Sequence, residues 1–187
     1  MWFMKIRLLL VLVGLLCSVV PAAAAEKKIY GLNENVLIVD FGLTIPAKLD
    51  TGAVTASLDA HDIRLFKKNG KDMVRFRLTL QGAPDGLIEL PVVRTSRIKR
   101  RAGDYDPGEE GQDEKYTSRP VVMMTVCLGQ QFQAIEVNLV DRSHFSFPLL
   151  LGSRALTGFN AIVDPAEKYL AKKPGCKLNQ PASIKEQ

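Results

Sequence analysis

The residues of this 187-residue chain best placed to do chemistry are Leu49-Asp50-Thr51-Gly52-Ala53. An apolar run, Ile45 to Leu49, ends in one carboxylate, and a hydroxyl residue and a glycine then carry the chain into a turn. Alone, Asp-Thr-Gly also reads as an ordinary Asx turn, in which the side chain bonds its own backbone two residues on. Its setting says more. A second apolar run, Phe147-Pro148-Leu149-Leu150-Leu151-Gly152, lies far downstream, closes on glycine and leads into a short helical turn. Other catalytic sets are missing from the sequence. Catalytic zinc is held mostly by histidines, with one position left open for water. This chain has only His61 and His144 and no His-Glu-x-x-His pattern, so each is expected as a surface or hydrogen-bonded histidine. No Gly-x-x-x-x-Gly-Lys-Ser/Thr loop is present to cradle ATP phosphates. Neither a metal nor ATP nor any other cofactor is expected.

The elements that must position Asp50 read as strands. Val36 to Val39 and Leu43 to Leu49 are short and β-rich, with Phe41-Gly42 between them. Lys68-Asn69-Gly70-Lys71 is a hairpin signal, because Asn-Gly tolerates the positive φ angles of a type I′ turn. Beyond it Val74, Phe76, Leu78 and Leu80 alternate with Arg75, Arg77 and Thr79, the period of a half-buried strand. Leu87 to Val93, Val121 to Leu128 and Gln131 to Leu139 follow the same logic, with a turn at Gly129. Only Ser153 to Leu156, with Ser153 as its cap, and Pro165 to Leu170 resemble helix. A composition of 47% hydrophobic and 24% charged residues excludes wholesale disorder, collagen and coiled coil, and suits one domain of predominantly β structure.

One segment departs from this pattern. Arg94, Arg97, Lys99, Arg100 and Arg101 precede Asp104, Asp106, Glu109, Glu110, Asp113 and Glu114, with glycines between. Charge blocks of this kind bury little apolar surface. They read either as a solvated hairpin tip or as a flap over a groove, and the two are compatible.

Residues 1–25 are expected to be a signal peptide. Lys5 and Arg7 precede an apolar run from Leu8 to Cys17, and Pro21 leads into Ala22-Ala23-Ala24-Ala25. An uncleaved anchor is the alternative; Cys17 follows bulky Leu16 and so lacks the small neighbour that lipid attachment needs. The net charge of +5 loses Lys5 and Arg7 and no acid with that segment, leaving +3, too little to suggest a nucleic-acid partner. Export to the periplasm would allow Cys127 and Cys176 to pair; the other reading is one buried thiol and one tail thiol. The domain is expected over residues 26–171 and a flexible tail over 172–187.

Residues 31–170 resemble the retropepsin-like aspartic endopeptidases of bacteria, a family also labelled ATP-dependent zinc proteases. The likeness runs through Ala47 to Ala53, Ser57-Leu58, Val74-Arg75-Phe76, Arg94 to Lys99, Arg119-Pro120-Val121-Val122, Asp141-Arg142, Pro148 to Leu156 and Val163-Asp164. Asp59 stands where the family tends to have histidine, and Ser153 where arginine directly follows the glycine. The resemblance implies an all-β, acid-protease closed barrel with one short helix that works as a twofold homodimer. It implies Asp50 as the catalytic group, supported by Thr51, Gly52, Ala53, Leu150, Leu151 and Gly152. Two carboxyl groups within about 3 Å share one proton, since like charges that close cannot both ionise. The chain carries one Asp-Thr-Gly; Asp85-Gly86 and Asp164 sit in the wrong contexts, so the second acid would come from a second copy. Thr51 would bond across the axis, and Ala53, Leu78 and Ile98 are candidate subsite walls. The implied substrate is a peptide or peptide-like amide in the cell envelope, since such proteins often accompany peptide-ligating enzymes of the ATP-grasp type. The alternative is the same fold kept as a non-catalytic peptide-binding or scaffold module.

Overall fold

The computed structural model describes residues 26–99 and 116–176. The expected signal peptide, the tip of the charged segment and the tail beyond Cys176 lie outside the described residues. The chain is mostly β with one short helix. In order come β1 (Lys28–Gly31), β2 (Asn33–Ile38), β3 (Leu43–Asp50), β4 (Ala56–Asp59), β5 (His61–Lys68), β6 (Lys71–Arg77) and β7 (Ile88–Pro91). Then follow β8 (Arg94–Lys99), β9 (Tyr116–Leu128), β10 (Gln131–Val140), β11 (Leu149–Gly152), α1 (Ser153–Gly158) and β12 (Ala161–Asp164).

The main sheet runs β10-β4-β11-β3-β2-β9-β8, and β10 also pairs with β9. The pairings of six strands therefore return on themselves, with β8 attached outside the ring along β9. Alternation turns one face of each strand inward: Leu43, Ile45, Ala47 and Leu49 of β3 meet Val122, Met124, Val126 and Leu128 of β9 and Val137 and Leu139 of β10 in one buried cluster. Phe76 and Phe159 are fully buried and cap it. A three-stranded sheet, β5-β6-β7, packs against that core through Val74 and Phe76. Its hairpin turns on Asn69 and Gly70 at φ 52° and 75°, as the Asn-Gly pair requires.

Three expectations need correction. Gly152 caps α1 with extended backbone and no side-chain bond, because the Ser153 amide is already donated to the Ala53 carbonyl at 2.7 Å. Residues 165–170 form turns and not a helix, since their backbone is spent elsewhere. The Leu32 amide donates to the Glu167 carbonyl at 2.8 Å, and the Tyr169 amide to the Asn33 carbonyl at 2.7 Å. Fully buried Glu34 accepts from the Gly31, Leu170 and Ala171 amides and latches this strap down. Leu78 is 5% exposed and belongs to the core, so it forms no subsite wall.

The first residues of the expected tail are tied as well. The Gly175 amide donates to the Gly129 carbonyl at 2.7 Å, and Cys176 is disulfide-bonded to Cys127 across a Cα–Cα distance of 6.2 Å. Basic Arg94 to Lys99, expected at the mouth of the charged segment, forms β8 on the edge of the main sheet.

Candidate active site

Asp50 is the last residue of β3, where the inward alternation of Ala47 and Leu49 leaves Lys48 and Asp50 together on the other face. The chain then turns through Thr51 and Gly52, both exposed. One carboxylate oxygen of Asp50 accepts the Gly52 amide at 3.0 Å, and the other meets the Lys48 ammonium at 3.3 Å. Partial burial pushes the carboxyl pKa up, but the Lys48 ammonium and the Gly52 and Ala53 amides together outweigh it and hold the group below its ordinary value. Asp50 is thus an anion, 28% exposed, at the tip of a strand.

β11 runs parallel to β3 with Leu150 opposite Lys48, Leu151 opposite Leu49 and Gly152 opposite Asp50. The two apolar runs seen in the sequence therefore lie side by side. Gly152 has no room for a side chain: a Cβ there would meet the Thr55 carbonyl oxygen at 2.7 Å and that of Ala53 at 2.8 Å. The same close approach lets the Ser153 and Arg154 amides donate to the Ala53 and Val54 carbonyls. The loop that follows Asp50 is held by these backbone bonds and by the Asn138 side-chain amide, which donates to the Thr55 hydroxyl at 3.2 Å and the Ala56 carbonyl at 2.6 Å.

Asp50 opens onto a groove of about 1330 Å³. Ala53, Val54 and Leu150 line it near Asp50, and Arg94 to Lys99 of β8 contribute four side chains and Ile98's apolar wall. Glu136, Arg119, Asn138, Arg142, His144 and Phe145 complete its floor and far end. Glu136 bonds Arg94 at 2.7 Å and lies 3.7 Å from Arg154; the Arg94 bond lowers its pKa. Among the described residues no second carboxylate bonds Asp50. A lone ionised carboxylate can accept a proton from water.

The two histidines fall where they were expected. His61 faces Asp59 at 3.3 Å through Nε2 and Asp141 at 3.6 Å through Nδ1, and His144 lines the groove. Asp59, His61 and Asp141 bring three possible ligand atoms within 4.8 Å of one another. His61 of β5 thus sits between two carboxylates, hydrogen-bonded to Asp59 of β4 and within 3.6 Å of Asp141 at the end of β10. Lys48, Arg119 and Arg142 were given no role from sequence. The i, i+2 spacing of Lys48 and Asp50 on one strand was the readable signal for the first. Nothing local marks the two arginines as neighbours.

Residues 29–174 match the family described as RimB-like, the retropepsin-like aspartic endopeptidase RimB. Among curated proteins, a probable alpha-L-glutamate ligase of Shewanella pealeana is 30% identical over 165 residues, covering 86% of this chain and 33% of the relative. A protein of the same name from Shewanella halifaxensis is 29% identical, covering 77% of this chain and 30% of the relative. The chain thus spans about a third of the length of the curated relatives it matches. Among solved structures, a Legionella pneumophila protein of unknown function is 36% identical, with a TM-score of 0.62 over 79% of this chain and 100% of its own.

Proposed function

Because the chain belongs to the RimB-like family of retropepsin-like aspartic endopeptidases, we propose that it is an exported aspartic endopeptidase whose working unit is a twofold homodimer. The observation that carries the reading is the placement of Asp50. The carboxylate stands at the exposed tip of β3, backed by Gly152 of β11 and facing a groove large enough for an extended peptide. In the dimer each subunit gives one Asp50. One carboxyl is ionised and takes a proton from the attacking water; its protonated twin donates to the oxygen of the scissile carbonyl. Thr51 and Gly52, exposed in one subunit, become the contact between the paired turns. The disulfide from Cys127 to Cys176 supports an oxidising compartment such as the periplasm.

The curated relatives are named probable alpha-L-glutamate ligases, and this chain covers about a third of their length. That supports peptide or peptide-like amide bonds as the substrate class and leaves a second reading, a binding module on the same fold. The test is hydrolysis of a mixed peptide library by the mature protein and by Asp50→Asn. Cleavage by the first and none by a folded, equally stable second supports the enzyme. Peptide binding by both with cleavage by neither supports the module.

A further inference from the structure

The β1–β12 pair carries an apolar face that the described residues leave uncovered. Ile29 of β1 and Ile162 of β12 are register partners in a parallel pair, so their side chains leave the same side of it; they are 60% and 48% exposed. Gly31 lies two residues beyond Ile29 and therefore faces that side as well. A Cβ on Gly31 would meet the Glu167 carbonyl oxygen and the Lys168 Cα at 2.7 Å. The strap that Glu34 latches thus crosses this same face, one strand repeat, about 7 Å, from Ile29. Tyr169 and Leu170, the next residues of the strap, are 41% and 42% exposed. Large apolar side chains from two strands and the strap are left in water around one corner of the fold.

The charges around these side chains are mostly positive. Lys27 and Lys28 precede Ile29, and Lys168, Lys172 and Lys173 bracket Tyr169 and Leu170. Among the described residues none of these five lysines has a carboxylate within ion-pair distance. Glu26, Asp164 and Glu167 are the acids beside them, so five lysines against three acids leave the corner at +2. Glu34 beneath the strap is fully buried and holds backbone amides. Lysines in such a place lay their apolar stems along a greasy surface while the ammonium groups reach out to anions. A tyrosine among aliphatic side chains suits the same boundary, with an apolar ring and a polar tip.

We propose that this corner docks on the surface of a bilayer containing anionic phospholipid, with Ile29, Ile162, Tyr169 and Leu170 entering the headgroup layer and the lysines meeting the phosphates. A second copy of the chain is the poorer occupant, because a twofold pair would set the same lysines against themselves. The chain outside the described residues points the same way. The apolar run Leu8 to Ala25 joins the fold immediately ahead of Lys27, Lys28 and Ile29, so a bilayer that takes up that run meets this corner first. Neither Asp50 nor cleavage in the groove enters into it.

Co-sedimentation with vesicles tests the face on the chain from Glu26 onward, which lacks the apolar run and keeps every element of the fold. The vesicles are phosphatidylcholine alone, or phosphatidylcholine with about 30% phosphatidylglycerol. The anionic vesicles are expected to bind at least about tenfold more tightly, with a partition that falls as salt rises from about 0.05 M to about 0.5 M. Lys168→Gln together with Lys173→Gln is expected to weaken that binding roughly 25-fold, at about fivefold for each lysine near an anionic surface. Ile29→Ser together with Ile162→Ser should weaken it about tenfold by removing apolar contact. Leu65→Ser, on β5 and also 60% exposed, should change nothing. No binding to either vesicle, or equal binding to both, overturns the proposal. So does unchanged binding in the lysine pair or the isoleucine pair at a normal melting temperature, or an equal loss in Leu65→Ser. If the isoleucine pair fails to fold, the lysine pair decides alone. A dimer that disappears in the isoleucine pair while vesicle binding persists would assign the face to a second copy and would equally overturn the proposal.

Discussion

Pairing two Asp50 side chains should bind a proton. In one subunit the carboxyl pKa is held below its ordinary value: burial works against ionisation, but Lys48 and the Gly52 and Ala53 amides prevail. Each free subunit is therefore ionised at Asp50 from mildly acid pH upward. In the proposed dimer the two carboxylates would stand about 3 Å apart, where two unit charges repel by about 5 kcal/mol at an effective dielectric constant of about 20. That is equivalent to an upper dyad pKa raised by as much as roughly 4 pH units. Between the lowered single-subunit pKa and the raised upper pKa of the dyad, the dimer holds one proton that two separate subunits do not. Dimerisation is then favoured by acid: the dissociation constant should rise about tenfold for each pH unit through that window, or about 1.4 kcal/mol per unit, and level off above it. Sedimentation equilibrium of the mature protein at fixed ionic strength from acid to neutral pH reads this slope. Asp50→Asn removes the titrating pair and should flatten it, while other interface groups contribute equally to both proteins. A wild-type slope near zero, or the same slope in Asp50→Asn, would refute the shared proton.

Other consequences follow from the supports of the site. Gly152→Ala forces a methyl against two carbonyl oxygens at 2.7 and 2.8 Å. It should cost about 2 kcal/mol, lower the melting temperature by about 5 °C and reduce turnover by about a hundredfold through displacement of the Asp50 loop. A normal melt with normal turnover would contradict the account of β11 as the backing of the loop. The Cys127–Cys176 bond closes a separation of 49 residues, worth up to about 4 kcal/mol on chain-entropy grounds. Reductant or Cys176→Ser should lower the urea midpoint and speed hydrogen exchange at Leu170 and Ala171, whose amides reach Glu34. Unchanged exchange there would show that Glu34 alone holds the strap.

Local pattern made much of the fold legible. The Asn69-Gly70 turn and the alternation from Val74 to Phe76 need only neighbouring residues to be read, and they appear as β5, β6 and a buried face. The apolar run closed by Gly152 was readable beside Asp50 through the family resemblance, and its parallel register with β3 follows that expectation. What stayed hidden depends on strands distant in sequence. The helical reading of residues 165–170 failed because Glu34, Asn33 and Leu32, more than a hundred residues earlier, claim that backbone. Ser153 looked like a cap because its amide bond to Ala53 cannot be seen in sequence. Leu78 shares the alternating face of Val74 and Phe76, and that face packs into the core and not onto the groove. Arg119 and Arg142 become neighbours only when β9, β10 and β4 are laid in register.

Subunit mixing tests the shared site most directly. Wild-type protein and Asp50→Asn are mixed in equal amounts, allowed to exchange, and assayed on a cleavable peptide at constant total protein. If water is activated between two copies of Asp50, only the pure wild-type pairs work, and activity falls to about a quarter of the unmixed wild type. Activity near about half would mean that each subunit cleaves by itself, and the dyad would have to be abandoned.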